Sequence, residues 1–243
     1  MTSVGTALRS GVAQLRRTPL LLALLVVAPA YVVFVFTLVA PDGTAVLHLE
    51  GATVTAPLDE AFPAFTTPMT AALLSGVTGL FVMQDAAAAD PRLAVAGYRP
   101  HQIIVARLAL LGVVAAVATA VSVGVMATAF EPAHLGWFVL GTALAALLYG
   151  MVGVIAGVLL APITGVYLIL FGSMIDLFIF QNPLATDSPW AAGLLPGHYP
   201  LRVAMDAAFT GSVDPAAVVW SCLVLGVLTV VATAAFYREM RIG

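Results

Sequence analysis

The sequence contains no lysine: its nine basic residues are all arginine, at positions 9, 16, 17, 92, 99, 107, 202, 238 and 241. A P-loop uses its lysine to reach the β- and γ-phosphates, and pyridoxal or Schiff-base enzymes need an amine nucleophile. This polypeptide performs neither chemistry by itself. One cysteine, Cys222, leaves no intrachain disulfide and no cysteine-rich zinc or iron–sulfur centre. His48, His101, His134 and His198 are far apart, and no H-x-x-x-H or paired-carboxylate spacing occurs, so neither a catalytic site nor a metal site is expected. Charge of either sign is scarce. Charged residues make up 9% and hydrophobic ones 62%, against roughly 25% and 45–50% in soluble domains. The chain is therefore read as a membrane protein whose first partner is the lipid bilayer, with no nucleic-acid partner.

What is present is a series of long uncharged runs. A helix crossing about 30 Å of hydrocarbon needs around 20 mostly apolar residues. Pro19–Ala40, Ala61–Gln84, Leu108–Phe130 and Pro215–Tyr237 each qualify once. Trp137–Ile175 is uncharged throughout, too long for one span and sufficient for two, with the break expected at Ala161-Pro162, since proline lacks a donor and restricts the residue before it. The fold class expected is thus an all-α polytopic membrane protein, a single transmembrane domain with spans at about 19–40, 62–84, 106–129, 137–160, 163–181 and 215–237. A cleaved signal peptide is the rival reading of the first run, built on Arg16-Arg17, Leu20–Val27 and Ala28-Pro29-Ala30. The uncharged stretch continues to Ala40, which favours a span kinked at Pro29.

Arginine placement sets the orientation. Eight of the nine arginines precede span 1, lie between spans 2 and 3, or follow span 6, whereas the opposite connections hold Asp42, Glu50, Asp59, Glu60, Glu131, Asp187, Asp206 and Asp214, with Arg202 as the one base. By the positive-inside rule both termini are cytoplasmic, in a multi-pass protein of the cell membrane.

The connections have character of their own. Residues 2–17 read as an interfacial helix, with Val4, Leu8, Val12 and Leu15 on one face, or else as a frayed polar tail weakened by Gly5 and Gly11. Pro41-Asp42-Gly43 is a turn signal, and Val46–Thr55 alternates as a small hairpin would. In the cytoplasmic segment 85–104, Asp90 and Pro91 suit an N-cap and first helical position, Gly97 suits a helix end, and a second helix starts near Pro100. A short helix braced between two spans is suited to receive force from a soluble partner; the plainer reading is a topology-setting connector. Asn182–Asp214 mixes Pro183, Pro189, Pro196 and Pro200 with apolar Trp190–Leu195 and Leu201–Phe209, expected as two short helices re-entering the outer leaflet.

In this order of elements the chain resembles the type-2 ABC exporter permeases, the membrane subunits of ATP-binding-cassette efflux systems. The likeness rests on the interfacial helix, six spans, coupling helix and re-entrant pair. Leu93-Ala-Val-Ala-Gly97 stands where a family stretch ending in proline falls, Arg107 follows ten positions after Gly97, and Leu195-Pro196-Gly-His-Tyr-Pro200 is similar to the stretch between the re-entrant helices. The family's Glu-Arg and Gly-Thr elements are missing from the connector. The resemblance implies an ATP-driven exporter of a hydrophobic or amphipathic substrate, working as a homodimer or with a related permease. A separate ABC ATPase subunit would hold ATP and Mg, and no cofactor would be bound here. It implies that Arg92, Tyr98, Arg99, Pro100 and His101 dock that ATPase. A haem-handling maturation permease of the same scaffold, a proton-coupled secondary transporter using Asp176, and an intramembrane enzyme are the alternatives.

Two further features stand out. Asp176 is an acid inside span 5, and ionisable groups there by default mark function. Its expected partners are Arg202 or His198, forming an outer gate, with a cationic substrate, a subunit interface or headgroup water as other possibilities. Gly150, Gly153 and Gly157 form a small-residue stripe for close helix packing, within the chain or between copies.

Overall fold

The computed structural model describes residues 19–95, 100–186 and 189–242, with backbone alone at 19–22, 24–25, 86–95, 100–101 and 239–242. The expected interfacial helix 2–17 lies outside the described residues. Helix α1 (Pro19–Val39) leads into a two-stranded hairpin, β1 (Thr44–Leu49) and β2 (Ala52–Pro57). There follow α2 (Leu58–Val95), α3 (Pro100–Met126), α4 (Leu135–Leu159) and α5 (Pro162–Met174), which continues as a wide turn over Ile175–Phe180. A 3₁₀ turn (Trp190–Leu194), α6 (His198–Phe209) and α7 (Pro215–Ile242) complete the chain. Among the described residues five helical stretches are long and apolar enough to cross a membrane: Leu58–Asp85, Gln102–Met126, Leu135–Leu159, Pro162–Phe180 and Pro215–Arg238. These suit a membrane-embedded helical protein. In α1, the apolar stretch Val26–Val39 is shorter.

Local chemistry accounts for the boundaries. Leu160 and Ala161 are extended, and Pro162 opens α5, so the long uncharged run divides at the expected proline. Asp59 and Glu60 sit in the first turn of α2, where acids favour the helix start. That helix does not stop for Asp90-Pro91. The separate helix expected from Pro91 is instead the continuation of α2 to Val95, because Ala86–Ala89 is the strongest run of helix formers in the connector and carries the helix forward. Trp190–Leu194 forms a single 3₁₀ turn in place of the expected two-turn helix. It is confined between Pro189 and Pro196 and contains Gly193. Conversely α6 begins at His198, a turn earlier than the apolar stretch indicated.

The hairpin is held by an antiparallel register pairing Leu49 with Ala52, so Glu50 and Gly51 make the turn, and Gly51 takes φ +97°. A side chain there would be strained. Leu47 and Ala56 face inward, joining Phe65, Tyr149, Leu177 and Leu201 in one cluster. The hairpin thus roofs one end of the bundle. The His48 N–H donates to Pro183 O at 2.7 Å, tying it to the segment after α5.

The bundle's tightest seam is between α2 and α4. A Cβ on Gly153 would stand 3.0 Å from Leu80 N, one on Gly157 2.8 Å from Leu80 O, and one on Gly79 2.5 Å from Gly150 O. Backbones this close require glycine, so the stripe at Gly150, Gly153 and Gly157 is used inside the chain. Gly112 on α3 has open space around its Cβ position. Gly153→Val should therefore destabilise the folded chain by roughly 1–3 kcal/mol or more, read as a lower midpoint of thermal unfolding in detergent. Gly112→Ala should leave that midpoint unchanged or raise it, since alanine is the better helix former.

Candidate functional site

The site grows from one carboxylate. Asp176 opens the wide turn at the end of α5 and is 3% exposed. Burying an ion in an apolar bundle is unfavourable unless donors surround it. Three segments supply them. The Tyr149 hydroxyl of α4 donates to Oδ2, the Gly197 N–H donates to Oδ2 at 2.9 Å, and the Gln181 amide donates to Oδ1 at 3.0 Å. Gly197 has to be glycine here, for a Cβ would stand 2.8 Å from the carboxylate oxygen it binds.

From Asp176 the polar contacts run outward. The Gln181 amide also donates to Ala192 O at 3.0 Å, and its Oε1 lies 3.0 Å from His198 Nδ1. His198 Nε2 faces Glu50 Oε1 of the hairpin turn at 3.3 Å. One helical turn on, Arg202 binds Glu50 Oε2 at 2.5 Å and Asp214 Oδ2 at 2.9 Å, while its Nε is 3.9 Å from Asp206 Oδ2. The outer part of this chain of contacts rims a pocket of about 60 Å³ lined by His48, Glu50, Gln181, His198, Arg202 and Asp206, among others. A second pocket of similar size, apolar, lies beneath the hairpin against Leu47, Phe62, Phe65 and Phe178.

Electrostatics in the outer part follow from burial. Desolvation holds the His198 imidazole below its ordinary range; Glu50 and Asp176 pull it up, and Arg202 pushes it down. Asp206 is raised by burial, against the attraction of Arg202. The Glu50 carboxylate is half exposed, and ion pairs to such a solvated partner contribute about 0–1 kcal/mol each, so its contacts with His198 and Arg202 set geometry more than stability.

Of the residues read from the sequence, Asp176, His198 and Arg202 come together at one end of the bundle, but Asp176 pairs directly with neither of the other two. Gln181 stands between Asp176 and His198, and the α6 face carrying His198 and Arg202 meets Glu50. Tyr149, Gln181, Gly197 and Glu50 escaped the sequence reading. A tyrosine in the middle of an apolar span was the available signal, because a buried phenol hydroxyl seeks a partner. Arg92, Pro100 and His101 lie on helical backbone whose side chains are not described, and Tyr98 and Arg99 lie outside the described residues. Among the described residues no group of three or more His, Cys, Asp or Glu is arranged to hold a metal ion. No protein-family model matches the chain, and no characterised protein is significantly similar to it in sequence.

Tyr149→Phe removes a donor from a buried charge and should lower stability by roughly 1.5–3 kcal/mol, measured by unfolding in detergent. Glu50→Gln removes the anion 3.3 Å from His198, and its loss should drive the imidazole pKa further down, since the carboxylate was raising it. Histidine NMR titration of the two proteins measures the change.

Proposed function

We propose that the chain is the membrane permease subunit of an ATP-driven ABC exporter that moves a hydrophobic or amphipathic molecule out of the cell. In this reading α1 is a sixth span, both termini are cytoplasmic, and the α2–α3 connection with Arg92, Tyr98, Arg99, Pro100 and His101 receives the ATPase subunit. Two permeases, identical or related, enclose the path. The hairpin, the 3₁₀ turn and α6 form the outer gate.

The observation that carries the reading is the Asp176 joint. Among the described residues it is the one buried charged side chain within the five membrane-length stretches, and it binds α4 and the segment preceding α6 at once. A tilt of α2 is communicated to α4 through their glycine seam and from α4 to the outer segment through Tyr149. ATP binding drives such a tilt if the ATPase contacts the two permease conformations differently. A proton-coupled carrier would ask Asp176 to exchange protons with water, whereas it is buried with donors on both oxygens, which favours the ATP-driven alternative.

Purification of the tagged chain from its native membranes should recover an ABC ATPase, whose hydrolysis in liposomes is stimulated by substrates found by screening hydrophobic and amphipathic compounds. Charge reversal at Arg92 and Arg99 together should leave ATP hydrolysis running while export stops. Coupled export that persists in the double variant overturns the docking face; repeated purification with no ATPase overturns the exporter.

A further inference from the structure

The Gln181 side chain touches three separate parts of this end of the bundle: Asp176, Ala192 and His198. Its Nε2 donates to Asp176 Oδ1 and to Ala192 O, both at 3.0 Å, which fixes the amide orientation and leaves Oε1 toward His198 Nδ1. The backbone delivering it is unusual. The Gln181 N–H bonds the Asp176 carbonyl, five residues back, at 3.0 Å, whereas an α-helix would present the Phe180 N–H to that carbonyl. The wide turn holds one residue more than an α-helical turn, and single turns of this kind recur at functional sites.

We propose that Gln181 is the release catch of the outer segment, and that the Ile175–Phe180 turn is its moving part, switching between this wide form and ordinary α spacing. The two forms are closely matched in backbone bonding, because the Asp176 carbonyl receives one N–H in either. They differ in where Gln181 points. Taking up one residue rotates the downstream backbone by about 100° and shifts it about 1.5 Å along the axis, which withdraws the amide from Asp176, Ala192 and His198 together. The segment it holds has little else to retain it. In the Trp190–Leu194 turn Ala192 alone is buried, at 1% exposure, while Trp190 and Leu194 are 86% and 77% exposed. One concerted change in α5 therefore frees the Trp190–Leu194 turn and releases His198 from Gln181, while α6 stays packed through Leu201, Val203 and Ala204. The device does not depend on the energy source that drives it.

The test uses the full chain in lipid nanodiscs, with Cys222→Ser removing the native thiol and Ala192→Cys as reporter of release. Ala145→Cys, at a fully buried site on α4, reports global unfolding in a parallel protein. Maleimide labelling of residue 192 should be slow in the parent and at least tenfold faster in Gln181→Ala, with residue 145 protected in both. Deleting Ile179, which is exposed within the turn, removes the extra residue, so the Gln181 N–H meets the Asp176 carbonyl at ordinary α spacing with no downstream rotation; this variant has no wide form to switch from and should label at 192 more slowly than the parent. Labelling at 192 that stays slow in Gln181→Ala overturns the catch; labelling in a folded deletion variant as fast as in the parent, or faster, overturns the moving turn. Hydrogen exchange on the unmodified chain needs no variant: the Gln181 amide and those of 190–195 should open as one unit, and independent opening rates overturn the proposal. Since no ATPase takes part, failure here is separable from failure of the exporter reading.

Discussion

A carboxylate placed in an apolar interior has to be surrounded by donors, and the hairpin end of this protein is arranged around meeting that demand at Asp176. The donors arrive from α4, from the residue that follows the wide turn, and from the backbone just before α6. None of these neighbours in space is a neighbour in sequence by less than five residues. Satisfying one ion therefore fixes the mutual placement of three segments whose apolar surfaces alone would allow sliding. Apolar packing sets how closely the helices lie, and the ion sets where along their length they stop.

The seam between α2 and α4 makes that placement consequential. Where Gly79 meets Gly150 and Gly153 meets Gly76, backbone rests on backbone, so little side chain stands between the two helices to absorb a relative movement. Tyr149 belongs to the same turn as Gly150, and its hydroxyl reaches Asp176. The least compliant contact in the bundle and the hydroxyl that binds the buried carboxylate are one residue apart. Displacement of α2 has a short, stiff route to the outer end.

Much of this was legible in the sequence, and the exceptions have physical causes. Runs without charge located the long helices because hydrocarbon leaves little latitude, and Ala161-Pro162 divided the longest run because proline has no donor to continue a ladder. The hairpin showed in its alternation, and the glycine stripe in its spacing. The α2 extension past Pro91 did not, since four alanines outweighed a proline whose cost depends on context. The wide turn has no sequence signature: one residue inserted into a helix leaves every neighbour apolar. Asp176 announced itself as an acid among aliphatics, but its partners were polar groups with ordinary roles elsewhere, a tyrosine, a glutamine and a glycine amide. Only their convergence in space gives them meaning.

The contact between Glu50 and Arg202 joins positions 152 residues apart. During synthesis the hairpin emerges and folds locally long before α6 exists, and its acidic turn must wait for the arginine that completes it. Contacts of such high sequence separation form late and slowly. The outer closure is thus also a record of assembly, since a chain in which it has formed has already placed α2, α4 and α5 correctly.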